Sequence, residues 1–194
     1  DIRVDAVKIG MIANSEIAVT VANTLNEVKA TNIVLDPVMI AKGGAPLLAK
    51  EAIGCVRDML VPLADILTPN LPEAAALLGQ SEAGNREDMF NQAKALLGLG
   101  ARNVYMKGGH FESDESPDLM LTPKDGHWLE SERIDTKNTH GTGCSLSASI
   151  AANKAGGASE IEAAHAAKQY IKNAISEAER LQVGQGHGPV YHFL

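Results

Sequence analysis

Cysteine is scarce in this sequence, and its spacing excludes two kinds of site. The 194 residues include two cysteines, Cys55 and Cys144, which lie far apart without Cys-x-x-Cys spacing. This argues against a disulfide framework and against a zinc site, and it indicates a reducing compartment. We therefore expect a cytoplasmic location.

Long apolar runs and clusters of basic residues are also missing. No apolar stretch approaches the roughly 18 residues that a membrane-spanning helix needs. The formal net charge is -7, and the lysines are scattered among acidic residues. We expect neither a nucleic acid nor a membrane as a partner, so that an anionic substrate must be bound by local groups.

The order of apolar segments predicts an α/β fold. With 45% hydrophobic residues the chain can bury one sizeable core. Short buried strands alternate with amphipathic helices in the first half, which predicts a parallel sheet with helices on both faces and a single domain over 1–194. The predicted strands are 6–9, 33–35, 65–67 and 103–106, and the predicted helices are 16–29, 49–60, 74–78 and 86–97.

The second half has a different pattern. A polar run at 112–117 predicts a surface loop, and the apolar segments 119–121 and 127–129 around a Pro-Lys-Asp-Gly turn predict a β-hairpin. Two helices are expected, one from about Cys144 to Lys154 and one over 161–181. Glycine-rich loops are predicted at 42–44 and 184–190.

The segment Gly141-Thr142-Gly143-Cys144 predicts an anion-binding site. The glycines allow backbone angles at which successive N–H groups converge, and the helix beginning near Cys144 adds the positive end of its dipole. The same dipole favours the thiolate form of a cysteine at this position. The alternative is that Cys144 is only a small residue packed at a tight turn, but the preceding Gly-Thr-Gly favours the functional interpretation.

Polar residues follow the predicted strands, at the edge where open α/β sheets bind ligands. Asp36 follows the second strand, Asn70 and Glu73 follow the third, and Lys107 follows the fourth. Each also has an ordinary explanation: Asp-Pro is a common turn, Asn-x-x-Glu is a common helix cap, and a loop lysine is usually solvated.

A family resemblance favours the functional interpretation of these residues. The stretch Asp-Thr-Lys-Asn-Thr-His-Gly-Thr-Gly-Cys at 135–144 resembles the signature of the hydroxymethylpyrimidine/phosphomethylpyrimidine kinases of thiamine biosynthesis, and further blocks extend the resemblance from about Val7 to Phe193. The resemblance implies a ribokinase-like, three-layer α/β/α fold with a mostly parallel central sheet. It also implies phosphoryl transfer from ATP to 4-amino-5-hydroxymethyl-2-methylpyrimidine and then to its monophosphate.

The resemblance also implies a role for each matching residue. Cys144 occupies the position of the catalytic base, which is aspartate in most of the superfamily, and the amides of Gly141, Thr142 and Gly143 form an anion hole. The remaining implied roles are ATP binding by Lys107, Asn70 and Thr139, Mg²⁺ binding by Asp36 and Glu73, and substrate binding by Met11 and Val38.

Other interpretations remain open at this point. One is a pyridoxal kinase of the cysteine type. Another is a nucleotide-binding or oligomer-forming module without turnover, because the sequence begins at Asp1 almost directly with a strand and is expected to lack an N-terminal segment. An unpaired strand at that edge favours a homo-oligomer. A cysteine hydrolase with His140 beside Cys144 is disfavoured, and His187 and His192 are expected to be loop residues.

Overall fold

A computed structural model describes residues 2–39, 50–111 and 114–194. The predicted loop at 42–44, Ala49 and the residues 112–113 of the polar run lie outside these ranges. Within them the chain forms one sheet with the strand order β1-β2-β3-β4-β5-β6. The strands are β1 (Val7–Ile9), β2 (Ile33–Leu35), β3 (Ile66–Leu67), β4 (Val104–Met106), β5 (Asp118–Leu121) and β6 (Gly126–Leu129).

The sheet is parallel from β1 to β4 and antiparallel from β4 to β6, which confirms both the mostly parallel sheet and the hairpin. Each parallel connection contains helical structure, as crossover connections require. The α-helices are α1 (Ser15–Glu27), α2 (Lys50–Cys55), α3 (Leu71–Leu78), α4 (Arg86–Gly98), α5 (Thr142–Ala155) and α6 (Glu160–Ser176).

The helices cover both faces of the sheet, so the fold has the expected three layers. Successive strand residues point to opposite faces. Leu35 and Met106 belong to a core cluster with residues of α1, α3 and α4, whereas Val34 and Tyr105 belong to a second cluster with residues of α5 and α6. Residues of β2, β3 and β4 are all buried, as expected for parallel strands covered on both sides.

Two helices begin two or more residues earlier than predicted, and in both cases the residue at the N-cap position explains the start. Helix α3 begins at Leu71 and not at Ala74, because the Asn70 side chain accepts a hydrogen bond from the Glu73 N–H. Helix α5 begins at Thr142 and not at Cys144. Its N-cap is Gly141, which adopts a left-handed backbone conformation with φ 84° that favours glycine.

Two predicted helices are less regular than expected. The segment predicted as a helix over 49–60 is α-helical at Lys50–Cys55 and continues as a π-helical turn at Val56–Leu60. Pro62 follows this turn and has no N–H to continue an α-helix. The prediction of a helix over 161–181 was too long at its end: α6 ends at Ser176, and the Tyr191 N–H of the tail donates to the carbonyl of Ala174.

Among the described helices, none is both long and apolar enough to cross a membrane.

Candidate active site at the carboxyl edge of the sheet

Three residues predicted from separate strand ends meet in one charged cluster, defined here as Asp36, Glu73 and Lys107. The Lys107 Nζ lies 2.9 Å from Asp36 Oδ1 and 3.5 Å from Glu73 Oε2. They meet because parallel strands place their carboxyl ends at one edge of the sheet. The Asp36 and Glu73 side chains are only 1% and 5% exposed. The cluster is therefore a buried ion-pair network and not a set of solvated loop residues.

Three further side chains contact Asp36, and none of them was predicted from the sequence. Ser147 Oγ of α5 lies 3.2 Å from Asp36 Oδ2, and Thr68 Oγ1 lies 3.4 Å from Oδ1. The single hydrogen of each hydroxyl can be donated to Asp36 or to a backbone carbonyl within the same distance. Lys8 Nζ of β1 lies 3.9 Å from Oδ2. Lys8 was identifiable in principle, because a lysine between Val7 and Ile9 in a short strand needs a partner. Ser147 carries no such signal in its helix.

The electrostatics keep Lys107 charged. Burial by itself would lower the pKa of Lys107, but the carboxylates of Glu73 and Asp36 outweigh burial and raise the pKa above the usual lysine value. Burial raises the pKa of Glu73, and the ammonium of Lys107 opposes that increase. Lys107 is thus a permanent cation at neutral pH, held between two buried carboxylates.

Asn70 and Glu73 form a capping box at the start of α3. The Asn70 N–H donates to Glu73 Oε2 and the Glu73 N–H donates to Asn70 Oδ1, both at 2.8 Å. The ordinary explanation of this motif is therefore confirmed, and it coexists with the charged cluster. The Lys107 N–H donates to the Pro69 carbonyl at 2.9 Å, which holds the lysine backbone beside the cap.

The N-terminus of α5 lies against the same cluster. The first hydrogen bond of this helix runs from the Ser145 N–H to the Gly141 carbonyl at 2.9 Å. The amides of Gly143 and Cys144 precede Ser145, so they have no acceptor within the helix. These amides and the helix dipole favour an anion.

The two glycines of the predicted anion hole serve different purposes. Gly141 has the positive φ that the sequence analysis expected, but Gly143 does not. Gly143 lies beside the charged cluster, where a Cβ at this position would be in ordinary van der Waals contact with Lys107 Nζ at 3.4 Å. Thr142 between them donates its hydroxyl to the carbonyl of half-buried Thr139 at 2.7 Å.

Cys144 lies in the first turn of α5 and is exposed to solvent. Within the described ranges no hydrogen bond joins it to His140, whose N–H and C=O instead pair with Gly188 and Val190 of the tail. The geometry therefore gives no support to a cysteine–histidine dyad. His192 lies in the tail, where its ring accepts or donates a hydrogen bond with the Tyr170 hydroxyl at 2.8 Å.

The two predicted substrate-binding residues lie at the β1 and β2 side of the edge. Val38 donates its N–H to the Asp36 carbonyl at 2.8 Å and lines a shallow crevice together with Gly10 and Val56. Met11 is 54% exposed at the end of β1. Both residues lie close in sequence to the strand ends, and neither makes a contact that assigns its role.

A buried ammonium beside two carboxylates and a helix N-terminus is suited to stabilising the charge of a transferring phosphoryl group. With this site at the carboxyl edge of a three-layer sheet, the fold and the site define a ribokinase-like phosphotransferase. The family profile of phosphomethylpyrimidine kinase matches residues 1–191. The chain belongs to the phosphomethylpyrimidine kinase family.

Individual relatives support this assignment. The chain is 44% identical over 193 residues to the hydroxymethylpyrimidine/phosphomethylpyrimidine kinase of Escherichia coli (strain K12), covering 100% of this chain and 73% of that protein. Among solved structures, a Bacillus subtilis pyridoxal kinase in complex with ADP superposes with a TM-score of 0.90 at 40% identity, over 97% of this chain and 70% of the other. A phosphomethylpyrimidine kinase from Clostridium difficile 630 superposes with a TM-score of 0.79 at 37% identity, over 90% and 71%.

Proposed function

We propose that this chain transfers the terminal phosphoryl group of ATP to 4-amino-5-hydroxymethyl-2-methylpyrimidine and then to its monophosphate, as a step of thiamine biosynthesis. The observation that carries the proposal is that the charged cluster contacts the first turns of α5, where Ser147 Oγ lies 3.2 Å from Asp36 Oδ2 and Gly143 lies beside the Lys107 ammonium. The cation, the free amides of the helix and Cys144 in its first turn therefore lie at the same edge of the sheet.

The phosphate-binding groups act by position and charge. The Lys107 ammonium neutralises the transferring group, and the free amides of Gly143 and Cys144 donate to its oxygens. Gly141, Thr142 and Gly143 form the anion hole, in which the Thr142 N–H also donates to the Thr139 carbonyl at 3.4 Å. Asn70 and Thr139 complete the nucleotide side of the site. Their backbones lie beside Lys107 and before α5, respectively.

The carboxylates of Asp36 and Glu73 fit Mg²⁺ in a site that keeps several waters. Within the described ranges no group of three or more His, Cys, Asp or Glu side chains could hold a metal, whereas Mg²⁺ often binds through one or two carboxylates plus phosphate oxygens. Asp36 already accepts from Lys107 and Ser147, so it suits an indirect role through water. When bound, Mg²⁺ would supply positive charge against the phosphates.

Cys144 is proposed as the base for the first transfer. Its thiolate accepts the proton of the hydroxymethyl group as the substrate oxygen forms a bond to phosphorus, the bond from phosphorus to the bridging oxygen breaks, and ADP leaves. For the second transfer the acceptor is already an anion, so charge neutralisation matters more than a base. Met11 and Val38 are proposed to contact the pyrimidine ring.

A turnover assay with paired cysteine variants tests this proposal. ADP release would be followed with hydroxymethylpyrimidine as the acceptor, and the products identified by ³¹P NMR. Cys144→Ser should lose most turnover, whereas Cys55→Ser, which changes the other cysteine outside the site, should keep it. No phosphorylated pyrimidine from the unsubstituted protein would refute the substrate, and equal rates for both variants would refute the base.

A pyridoxal kinase is the second candidate, favoured by the likeness to the Bacillus subtilis pyridoxal kinase. Both substrates carry a hydroxymethyl group on a nitrogen heterocycle, and the phosphate side of the site does not distinguish them. Comparing kcat/KM for pyridoxal and hydroxymethylpyrimidine under identical conditions would show which of the two is the preferred substrate. A larger value for pyridoxal would make this the preferred reaction.

We also propose a cytoplasmic homo-oligomer. Cys55 and Cys144 are both free thiols, which suits a reducing compartment. Strand β1 pairs only with β2 among the described strands, and Ile2 and Val4 beside it are 92% and 67% exposed. Light scattering after size-exclusion chromatography would measure the mass, and a monomer at micromolar concentration would contradict the oligomer.

A further inference from the structure

A second buried ion pair lies behind the charged cluster and has no role in the proposed chemistry. Asp118, at the start of β5, is only 6% exposed. Its Oδ2 lies 2.7 Å from Lys168 Nζ of α6 and accepts a hydrogen bond from the Tyr105 hydroxyl at 2.8 Å. Burial raises the pKa of Tyr105, so this phenol remains a neutral donor. The other oxygen, Oδ1, accepts from the Gly108 N–H at 2.9 Å.

This pair connects the two ends of the loop that follows Lys107. Gly108 begins the loop, and a Cβ at Gly108 would collide with the carbonyl oxygen of Pro117 near the loop end. Lys168 Nζ also donates to the Ser116 carbonyl at 2.7 Å. Both ends of the loop are therefore bound to the same buried pair.

The consequence for Lys107 follows from its own backbone contacts. Its N–H donates to the Pro69 carbonyl, and the next N–H, that of Gly108, donates to Asp118. The backbone of Lys107 is thus held on both sides, by the neighbouring strand connection and by a carboxylate. Without the second contact, the direction in which the lysine stem leaves the sheet would depend on the Pro69 contact and on the ion pairs of the ammonium with Asp36 and Glu73.

We propose that Asp118 is a positioning residue for Lys107 and that it acts through its hydrogen bond with the Gly108 amide. Lys168 compensates the negative charge of Asp118. The inference rests on the proposed role of Lys107 at the phosphates. A buried ion pair is by itself poor evidence that a protein is stabilised there, because apolar residues of the same shape can often replace the pair without a loss of stability. An apolar replacement cannot, however, accept the Gly108 hydrogen bond.

Two matched double variants, both made in a Tyr105→Phe background so that the phenol contact to residue 118 is absent from both, isolate that single hydrogen bond. Asp118→Asn/Lys168→Met and Asp118→Leu/Lys168→Met both remove the ion pair and the Lys168 contact to Ser116, with side chains of nearly equal size. The asparagine oxygen can still accept from Gly108, and leucine cannot. Isothermal titration of the full chain with the ATP analogue AMP-PCP and with ADP, both with Mg²⁺, measures the difference.

We expect the leucine variant to bind AMP-PCP up to about tenfold more weakly than the asparagine variant, which is the upper end of what one hydrogen bond between neutral groups contributes. The two variants should differ less in their affinity for ADP, because a displaced Lys107 ammonium weakens the interaction with the terminal phosphate most, and ADP lacks that phosphate. If Asp118 had only a structural role, the leucine variant would lose the same factor in affinity for AMP-PCP and for ADP. Adding Lys107→Ala to both variants should abolish the difference between them.

The outcomes separate this inference from the proposed function. If Lys107→Ala alone leaves AMP-PCP affinity unchanged, the proposed role of Lys107 fails. If Lys107→Ala weakens AMP-PCP binding but the two double variants bind alike, the positioning role of Asp118 is refuted. Should the leucine variant fail to fold, Asp118→Val/Lys168→Met replaces it with a smaller residue that suits a strand, and the same criteria apply.

Discussion

Replacing Lys107 with methionine should expose how much the fold depends on the charged cluster. The variant keeps the length and apolar stem of the side chain but removes the ammonium, which lies 2.9 Å from Asp36 and 3.5 Å from Glu73. Two carboxylates that are almost completely buried then lose their nearest cation. The perturbation is therefore a change in charge with little change in volume.

The size of the effect follows from what remains. Removing one partner of a buried ion pair typically costs about 3–5 kcal/mol. Asp36 keeps the more distant Lys8, at 3.9 Å, and the hydroxyls of Thr68 and Ser147. We therefore expect a loss at the lower end of this range, about 3 kcal/mol in the free energy of unfolding. That is a large part of the roughly 5–15 kcal/mol that stabilises most domains.

The pH dependence has a defined sign. Burial already raises the pKa of Glu73 above its usual 4.5, and losing Lys107 raises it further. A carboxyl group whose pKa is higher in the folded state than in the unfolded state lowers the free energy of unfolding when the pH is above its unfolded pKa. The loss of stability caused by Lys107→Met should therefore grow as the pH rises from about 4.5 towards 7. In the unsubstituted chain, Lys107 contributes fully to the stability of the fold below pH 10.5, which corresponds to its usual pKa. This contribution is lost as the pH rises through the higher pKa that Lys107 has in the folded state.

Urea unfolding at pH 5, 7 and 10, followed by circular dichroism, measures these differences. Lys154→Met is the matched control, because Lys154 Nζ lies 3.0 Å from Glu160, whose side chain is 39% exposed. We expect the control to lose about 1 kcal/mol or less. A Lys107→Met variant that loses no more than the control at pH 7, or loses equally at pH 5 and 7, would refute the reasoning.

Three other variants test separate parts of the site. Cys144→Ala should abolish phosphorylation of the alcohol while ATP affinity, measured by calorimetry, stays within a few fold; equal loss of both would make the cysteine structural. Ser147→Ala should cost about 1 kcal/mol in urea unfolding, because its one hydroxyl hydrogen can be donated to Asp36 or to the carbonyls of Gly143 and Cys144; unchanged stability would contradict the contact with Asp36. Gly108→Ala should reduce folded yield and melting temperature, since its methyl group meets the Pro117 carbonyl; an unchanged melting temperature would count against this packing.

The strand and helix pattern of this protein was readable from the sequence. Alternating apolar segments predicted the parallel part of the sheet, because strands covered on both faces are buried throughout, and the turn at 123–126 predicted the hairpin. Helix starts were less accurate. Propensity places the middle of a helix better than its first residue, which a cap such as Asn70 or Gly141 decides.

Polar residues after each strand were likewise readable, since the ends of parallel strands share an edge. Which side chains bind one another there was decided only by the tertiary structure. Asp36 and Lys107 are 71 positions apart, and Asp36 and Ser147 are 111 apart. Periodicity shows that a residue is buried, but the identity of its partner depends on how β2, β4 and α5 pack. For the same reason Gly143 looked like a turn residue, whereas it lies in the first turn of α5 beside the ammonium of a lysine that follows another strand.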